Sequence, residues 1–174
     1  MKNPVVFLDR DGTLIEEVNF LSRTEDLRFF PFTVQAIDLL KNKGYLIIVV
    51  TNQSGIGRGI FEEKAMHEIH AEIQRRLNNK IDAFYFCPHL PDAGCACRKP
   101  KAGMIRQAAK DFSIDLDESW MIGDKALDVE TGFNAKTKTA LVLTGYGEKD
   151  FEKLNRKPDL VAENLFLAVE GIIK

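Results

Sequence analysis

Two carboxylates one residue apart, Asp9 and Asp11, stand at the end of the apolar run Val5-Val6-Phe7-Leu8 and are followed at once by Gly12. An unbroken apolar run of this kind suits a strand buried on both faces. The carboxyl end of such a strand is where open α/β sheets bind ligands, and glycine permits the sharp turn away. Three more apolar runs lead to polar groups of complementary kinds. Thr51-Asn52 follows Leu46 to Val50, Arg98-Lys99 follows Ala83 to Phe86 and the cysteines beyond it, and Gly123-Asp124-Lys125 follows Ser119 to Ile122. In a parallel sheet these ends face one way and converge. A hydroxyl, a lysine and a third carboxylate are what phosphoryl chemistry asks for. A phosphomonoester is an anion, so a carboxylate attacking it needs a divalent cation and fixed donors to cancel the repulsion. Asp9 and Asp124 are placed to offer oxygens to Mg²⁺, a hard ion that prefers them.

A second constellation lies in one loop. The three cysteines of the chain, Cys87, Cys95 and Cys97, fall within eleven positions that also hold His89, two prolines and a glycine. An odd, clustered set does not read as a disulfide framework. Three thiolates and an imidazole form a closed tetrahedral Zn²⁺ set, which points to a structural metal. The set ends immediately before Arg98-Lys99, so the zinc is expected to staple those two cations over the phosphoryl site. His67 and His70, on a long helix, are expected to face solvent or packing.

The elements that must hold these groups alternate throughout. Helices are predicted near Phe32 to Lys43, Glu62 to Asn78, Lys101 to Phe112, Ala126 to Phe133 and Leu165 to Ile173. Strands are predicted at Val5 to Leu8, Leu46 to Val50, Ala83 to Phe86, Ser119 to Ile122, Thr139 to Leu143 and, at an edge, Leu160 to Ala162. Repeated βα units imply a doubly wound, mostly parallel sheet with helices on both faces and right-handed crossovers. At 174 residues a single domain over residues 1–174 is expected.

Bulk properties exclude some classes of partner. A hydrophobic content of 45% with 29% charged residues is that of a globular protein. A net charge of −2 argues against nucleic acid, which calls for a basic face. No apolar run approaches the ~20 residues of a membrane span, and the N-terminus lacks a signal-peptide pattern. A cytoplasmic monomer acting on a small molecule is the expectation.

Asp9-x-Asp11-Gly12-Thr13 after a buried strand resembles the nucleophile motif of the haloacid dehalogenase superfamily of phosphoryl-transfer enzymes. The resemblance implies that Asp9 is the nucleophile, forming an aspartyl-phosphate. It makes Asp11 the acid/base, which also lends its backbone carbonyl to Mg²⁺. Thr51 resembles the second motif, holding phosphoryl oxygens, and Lys99 the third, a fixed positive charge. Gly123-Asp124 with Asp128 resembles the fourth; Asp124 binds Mg²⁺, Asp128 supports it one turn on, and Lys125 is close enough to contact substrate. DRDGT, TNQSGIGRG, CPH…CxCRKP and GDK together resemble one branch. It comprises phosphatases of heptose bisphosphate and of histidinol phosphate, which carry this zinc loop and no separate cap domain. TNQSGIGRG, KAGMI and MIGDKALD look like the heptose type, while the short cysteine loop looks like the histidinol type. The heptose reading is favoured. It implies a sugar bisphosphate substrate, a pocket lined by Glu17, Val18, Asn19, Phe20, Thr51, Asn52, Gln53 and Ser54, and Arg98 on the distal phosphate. The other readings are a polynucleotide 3′-phosphatase, which shares TNQ-x-GI and RKP-x-x-GM, and a non-enzymatic receiver module, which has no need of Asp11.

Overall fold

The structure is a computed structural model and describes residues 2–174. Its elements are β1 (Val5–Leu8), α1 (Thr33–Asn42), β2 (Leu46–Asn52), α2 (Ser54–Gly57), α3 (Glu63–Arg76), β3 (Ala83–Cys87), α4 (Gly103–Asp111), β4 (Trp120–Gly123), α5 (Ala126–Ala135), β5 (Lys138–Val142), α6 (Gly147–Phe151), β6 (Leu160–Ala162) and α7 (Leu165–Ile172). All the strands are parallel, in the order β3-β2-β1-β4-β5-β6. The doubly wound fold expected from the alternation is present. Among the described residues no helix is long and apolar enough to cross a membrane.

The period-2 alternation of β1 splits the core in two. Val6 and Leu8 pack with Ile47, Val49 and Ile122 beneath α1, α3 and α7. Val5 and Phe7 pack with Ile48, Val50 and Met121 beneath α4. All four side chains of β1 are 0% exposed, and each such burial is worth about 1.5–3 kcal/mol. Asp9 is therefore carried at the tip of the best-anchored strand. Its backbone N–H continues the ladder, donating to Ile122 O at 2.9 Å. The strand order turns around between β1 and β4, which opens the crevice at their carboxyl ends.

The structure differs from the sequence expectation at several element ends. β2 continues through Thr51 and Asn52 because both pair with Phe86 and Cys87 of β3, so Cys87 is itself a strand residue. α4 begins at Gly103 rather than Lys101, since Lys101 N–H closes a turn onto Arg98 O. α5 runs on to Ala135 and ends on a left-handed Lys136 at φ 65°, a stop with no glycine to announce it. The short helices α2 and α6 were not expected. α6 is polar and only five residues long, too short for a periodic signal, yet Asp150 within it accepts the Ala126 N–H that opens α5.

Candidate active site

Four loops meet at the crevice. Asp9 follows β1, Thr51 is the last residue but one of β2, Lys99 lies beyond the cysteine loop after β3, and Asp124 follows β4. Lys99 Nζ donates to Asp9 Oδ1 at 2.8 Å and to Asp128 Oδ1 at 2.6 Å, and all three side chains are buried. The second Asp128 oxygen accepts the Lys125 N–H at 3.1 Å, closing the first turn of α5. Asn52 fixes the lysine's backbone from both sides: its Oδ1 accepts Lys99 N–H and its Nδ2 donates to Lys99 O. Asn52, expected in the sugar pocket, thus lines the cavity while spending its amide on Lys99.

Carboxylate oxygens of Asp9, Asp124 and Asp128 can be chosen within 4.8 Å of one another. Their electrostatics are strained. Burial, then repulsion from Asp9 and Asp128, pushes Asp124 up to about 8. Burial and Asp9 outweigh the pull of Lys99 and bring Asp128 up to about 6. Burial also acts on Asp9, but the Lys99 and Lys125 ammonium groups outweigh it and hold Asp9 below the ordinary carboxylate value. Asp124 Oδ2 accepts the Tyr146 N–H at 2.8 Å, while Oδ1 is buried with no partner; among the described residues only Thr13 Oγ1 shares that condition. A buried, orphaned carboxylate oxygen beside a second acidic group is what a hard divalent cation satisfies. Gly12, at φ +85°, and Gly145, at φ +55°, press against Asp124 so closely that a Cβ at either would collide with its carboxylate. Thr144 Oγ1 bonds Gly12 O at 2.6 Å and ties the two loops together.

The crevice has two adjoining cavities. One of about 190 Å³ is lined by Asp9, Thr51, Arg98, Lys99 and Leu127. The other, about 120 Å³, is lined by Arg10, Glu17, Val18, Asn19, Phe20, Leu21, Gln53 and Gly55. Asp11, Asn52, Ser54 and Lys125 line both, so they stand on the boundary. Lys125 Nζ reaches Glu17 at 3.1 Å and lies over the Tyr146 ring at 4.9 Å. Gln53 is bonded to Asp11 and to Thr51 Oγ1.

In the cysteine loop all three thiols are free, and Cys87, His89, Cys95 and Cys97 each bring a donor atom within 4.8 Å of the others. Sγ–Sγ separations of 3.0 and 3.6 Å and Nδ1–Sγ separations of 3.2 and 3.4 Å gather the donors somewhat more tightly than the edges of a zinc tetrahedron, about 3.5–3.8 Å. Burial and the Cys97 contact push the Cys87 thiol up to about 12, whereas Cys95 is brought down to about 6 against its burial by the Arg98 N–H and the neighbouring thiols. The donor set fits Zn²⁺. Arg98 Nη1 donates to His89 O at 3.2 Å, and Lys101 Nζ to Gly94 O and Cys95 O. Of the two histidines set aside, His67 is exposed beside Glu63 and His70 is buried.

Sequence alone assigns no task to Arg10 or Leu127; His70, expected to face solvent or packing, is packed on Phe84, and Gly145 and Tyr146 lie in the Thr144 to Lys157 segment, expected near substrate with no roles assigned within it. Arg10 was hidden between two aspartates that drew the motif, and the Thr144-to-Gly147 loop reaches Asp124 only through the fold.

A model of the HAD-hydrolase-like family matches residues 96–168. The D-glycero-D-manno-heptose-1,7-bisphosphate 7-phosphatase of Thermosynechococcus vestitus is 39% identical over 99% of this chain and 96% of its own length. The corresponding D-glycero-beta-D-manno enzyme of Haemophilus ducreyi is 39% identical, with 95% and 96% covered. The crystal structure of D,D-heptose 1,7-bisphosphate phosphatase from B. bronchiseptica, complexed with magnesium and phosphate, superimposes with a TM-score of 0.92 at 32% identity, covering 98% of both chains.

Proposed function

The chain belongs to the D-glycero-D-manno-heptose-1,7-bisphosphate 7-phosphatase family of haloacid dehalogenase-like hydrolases, and on that premise we propose that it removes the 7-phosphate of heptose 1,7-bisphosphate. It is a phosphatase. Residues 1–174 act as one catalytic unit. Asp9 attacks phosphorus while the P–O bond to the sugar breaks, and Asp11 gives its proton to the departing oxygen. Water then attacks the aspartyl-phosphate, Asp11 takes a proton from it, and the Asp9–phosphorus bond breaks to free phosphate. Thr51 and nearby N–H groups hold phosphoryl oxygens, and Lys99 offsets charge on Asp9 and the phosphoryl group. Asp9, the Asp11 carbonyl and Asp124 would hold Mg²⁺, which supplies positive charge that lets one anion approach another. Glu17, Val18, Asn19, Phe20, Asn52, Gln53, Ser54 and Lys125 line the sugar side.

What carries the substrate reading is the state of the cations. Lys99 is engaged by Asp9 and Asp128, and Lys125 by Glu17. Arg98, which lines the cavity with Asp9, has among the described residues one side-chain hydrogen bond, to a carbonyl, so its guanidinium is available to meet a second phosphate. With Mg²⁺ present, phosphate release from heptose 1,7-bisphosphate is expected to exceed that from histidinol phosphate by ~100-fold or more in kcat/KM. The reverse order would transfer the chain to the amino-alcohol substrate and leave the chemistry standing.

Cys87, His89, Cys95 and Cys97 would hold a structural Zn²⁺. Because Asn52 secures Lys99 independently while Arg98 leans on His89 O, zinc removal is expected to act on binding first. Chelated, zinc-free protein with Mg²⁺ restored should show KM for the bisphosphate raised by ~10-fold or more, with kcat changed far less. Unchanged KM in protein shown to be zinc-free would sink this.

A further inference from the structure

Arg10 is among the largest fully buried side chains in the protein, 1% exposed. An arginine is almost never buried without partners that account for it. Here the partners are specific. Nε donates to Asp11 Oδ2 at 2.9 Å and Nη2 to Asp11 Oδ1 at 3.0 Å, the two-pronged grip that a planar guanidinium makes on a carboxylate. Nη2 also donates to Gln53 Oε1 at 3.1 Å, and Gln53 Nε2 returns to Asp11 Oδ2 at 3.0 Å, closing a ring of three side chains. Behind the ring, Nη1 meets His70 Nε2 at 3.3 Å. A guanidinium has no acceptor, so His70 Nε2 must accept and the imidazole is neutral with its proton on Nδ1. His70 is 5% exposed and stacks on Phe84 with centroids 4.4 Å apart. The grip on Asp11 is thereby anchored through α3 to the layer over β3.

The ring's side chains are separate from the metal-side carboxylates, and nothing in the hydrolysis as described uses Arg10 or His70, while Gln53 enters it only as a lining of the sugar side. What they hold is Asp11, one of the residues on the boundary of the two cavities, where in the proposed reaction the outgoing oxygen crosses from phosphorus to the sugar side. We infer that Arg10 is a positioning residue for Asp11: its buried fork, braced by Gln53 and His70, fixes the direction in which the Asp11 carboxyl meets the leaving oxygen. The inference rests on Asp11 being the acid of the proposed reaction. Orientation of this kind matters where the leaving group needs a proton and much less where it departs as a stable anion.

The test compares kcat/KM, which reports events through leaving-group departure, for heptose 1,7-bisphosphate and for 4-nitrophenyl phosphate. Arg10→Met is expected to lose ~100-fold on the sugar phosphate and less than ~5-fold on the aryl phosphate. Arg10→Lys, which keeps the charge but not the fork, should show the same split and covers the case in which the methionine variant does not fold. Asp11→Asn should give that split too, and the double variant Arg10→Met with Asp11→Asn should lose no more than ~2-fold beyond Asp11→Asn alone. Equal losses on both substrates, or additive losses in the double variant, would make Arg10 a merely structural residue. If Asp11→Asn itself shows no split, the acid assignment fails and takes this inference with it. If only the Arg10 variants lack the split, the reaction stands and the positioning role is wrong.

Discussion

Replacing Asp9 by Asn is expected to reduce kcat by ~10⁴-fold or more with only a small net change in stability, because two electrostatic effects oppose each other. The substitution preserves shape but exchanges the proposed anionic oxygen nucleophile for an amide and withdraws one charge from the proposed cation site. The stability half follows from the crowding at the crevice. Asp9 is a repulsive neighbour for Asp124 and Asp128, and it is part of why their carboxyl groups sit above the ordinary range. Removing its charge relieves both, but it also takes from Lys99 the partner at 2.8 Å that holds Asp9 below its ordinary value, leaving Lys99 with Asp128 at 2.6 Å. Steady-state turnover with Mg²⁺, alongside thermal unfolding of the metal-free proteins, reads both halves. Residual activity within ~10-fold of the parent would remove the covalent route, whereas lost activity with a lower melting temperature would show that Asp9 serves the fold as well.

Much of this crevice is visible in the sequence because strand ends announce themselves. Val5 to Leu8, Leu46 to Val50 and Ser119 to Ile122 are apolar runs that break off at Asp9, Thr51 and Gly123-Asp124, and parallel topology brings the breaks together. The Cys87, His89, Cys95 and Cys97 set is legible for a different reason, since its donors sit close in the chain. What stays hidden depends on which atom a polar residue spends where. Asn52 belongs to the cavity in either view, but only the fold shows its amide committed to the Lys99 backbone. His70 reads as a helical residue with no task, and its neutral state follows only from meeting Arg10 across sixty positions of chain. Tyr146 and Gly145 enclose Asp124 from the Thr144 to Lys157 segment, whose sequence suggests nearness to substrate but gives no residue in it a task. Side chains that act through strand periodicity are read early, and those that act through long-range hydrogen bonds are not.

Lys99→Met is expected to damage stability and turnover together, which separates it from Asp9→Asn. Lys99 is 3% exposed and bridges two buried carboxylates. Breaking a buried ion pair from one side costs about 3–5 kcal/mol, because the charges left behind lose their partner without regaining water. Equilibrium urea unfolding of the metal-free proteins should show that loss. Adding Asp128→Asn to the Met variant should return part of it, since one stranded carboxylate is then gone. Activity should fall ~10³-fold near neutrality, with a specific pH signature. Lys99 is the largest of the groups holding Asp9 below its ordinary value against burial. Without it the Asp9 pKa rises, the ionised nucleophile is lost at a higher pH, and the acid limb of kcat/KM moves upward. A Lys99→Met protein within about 1 kcal/mol of the parent, with its acid limb unmoved, would mean that the lysine's two short contacts are incidental to both fold and nucleophile. A shifted limb with the stability loss partly recovered in the double variant would identify the Asp9–Lys99–Asp128 triad as the unit that keeps a buried carboxylate anionic and ready to attack.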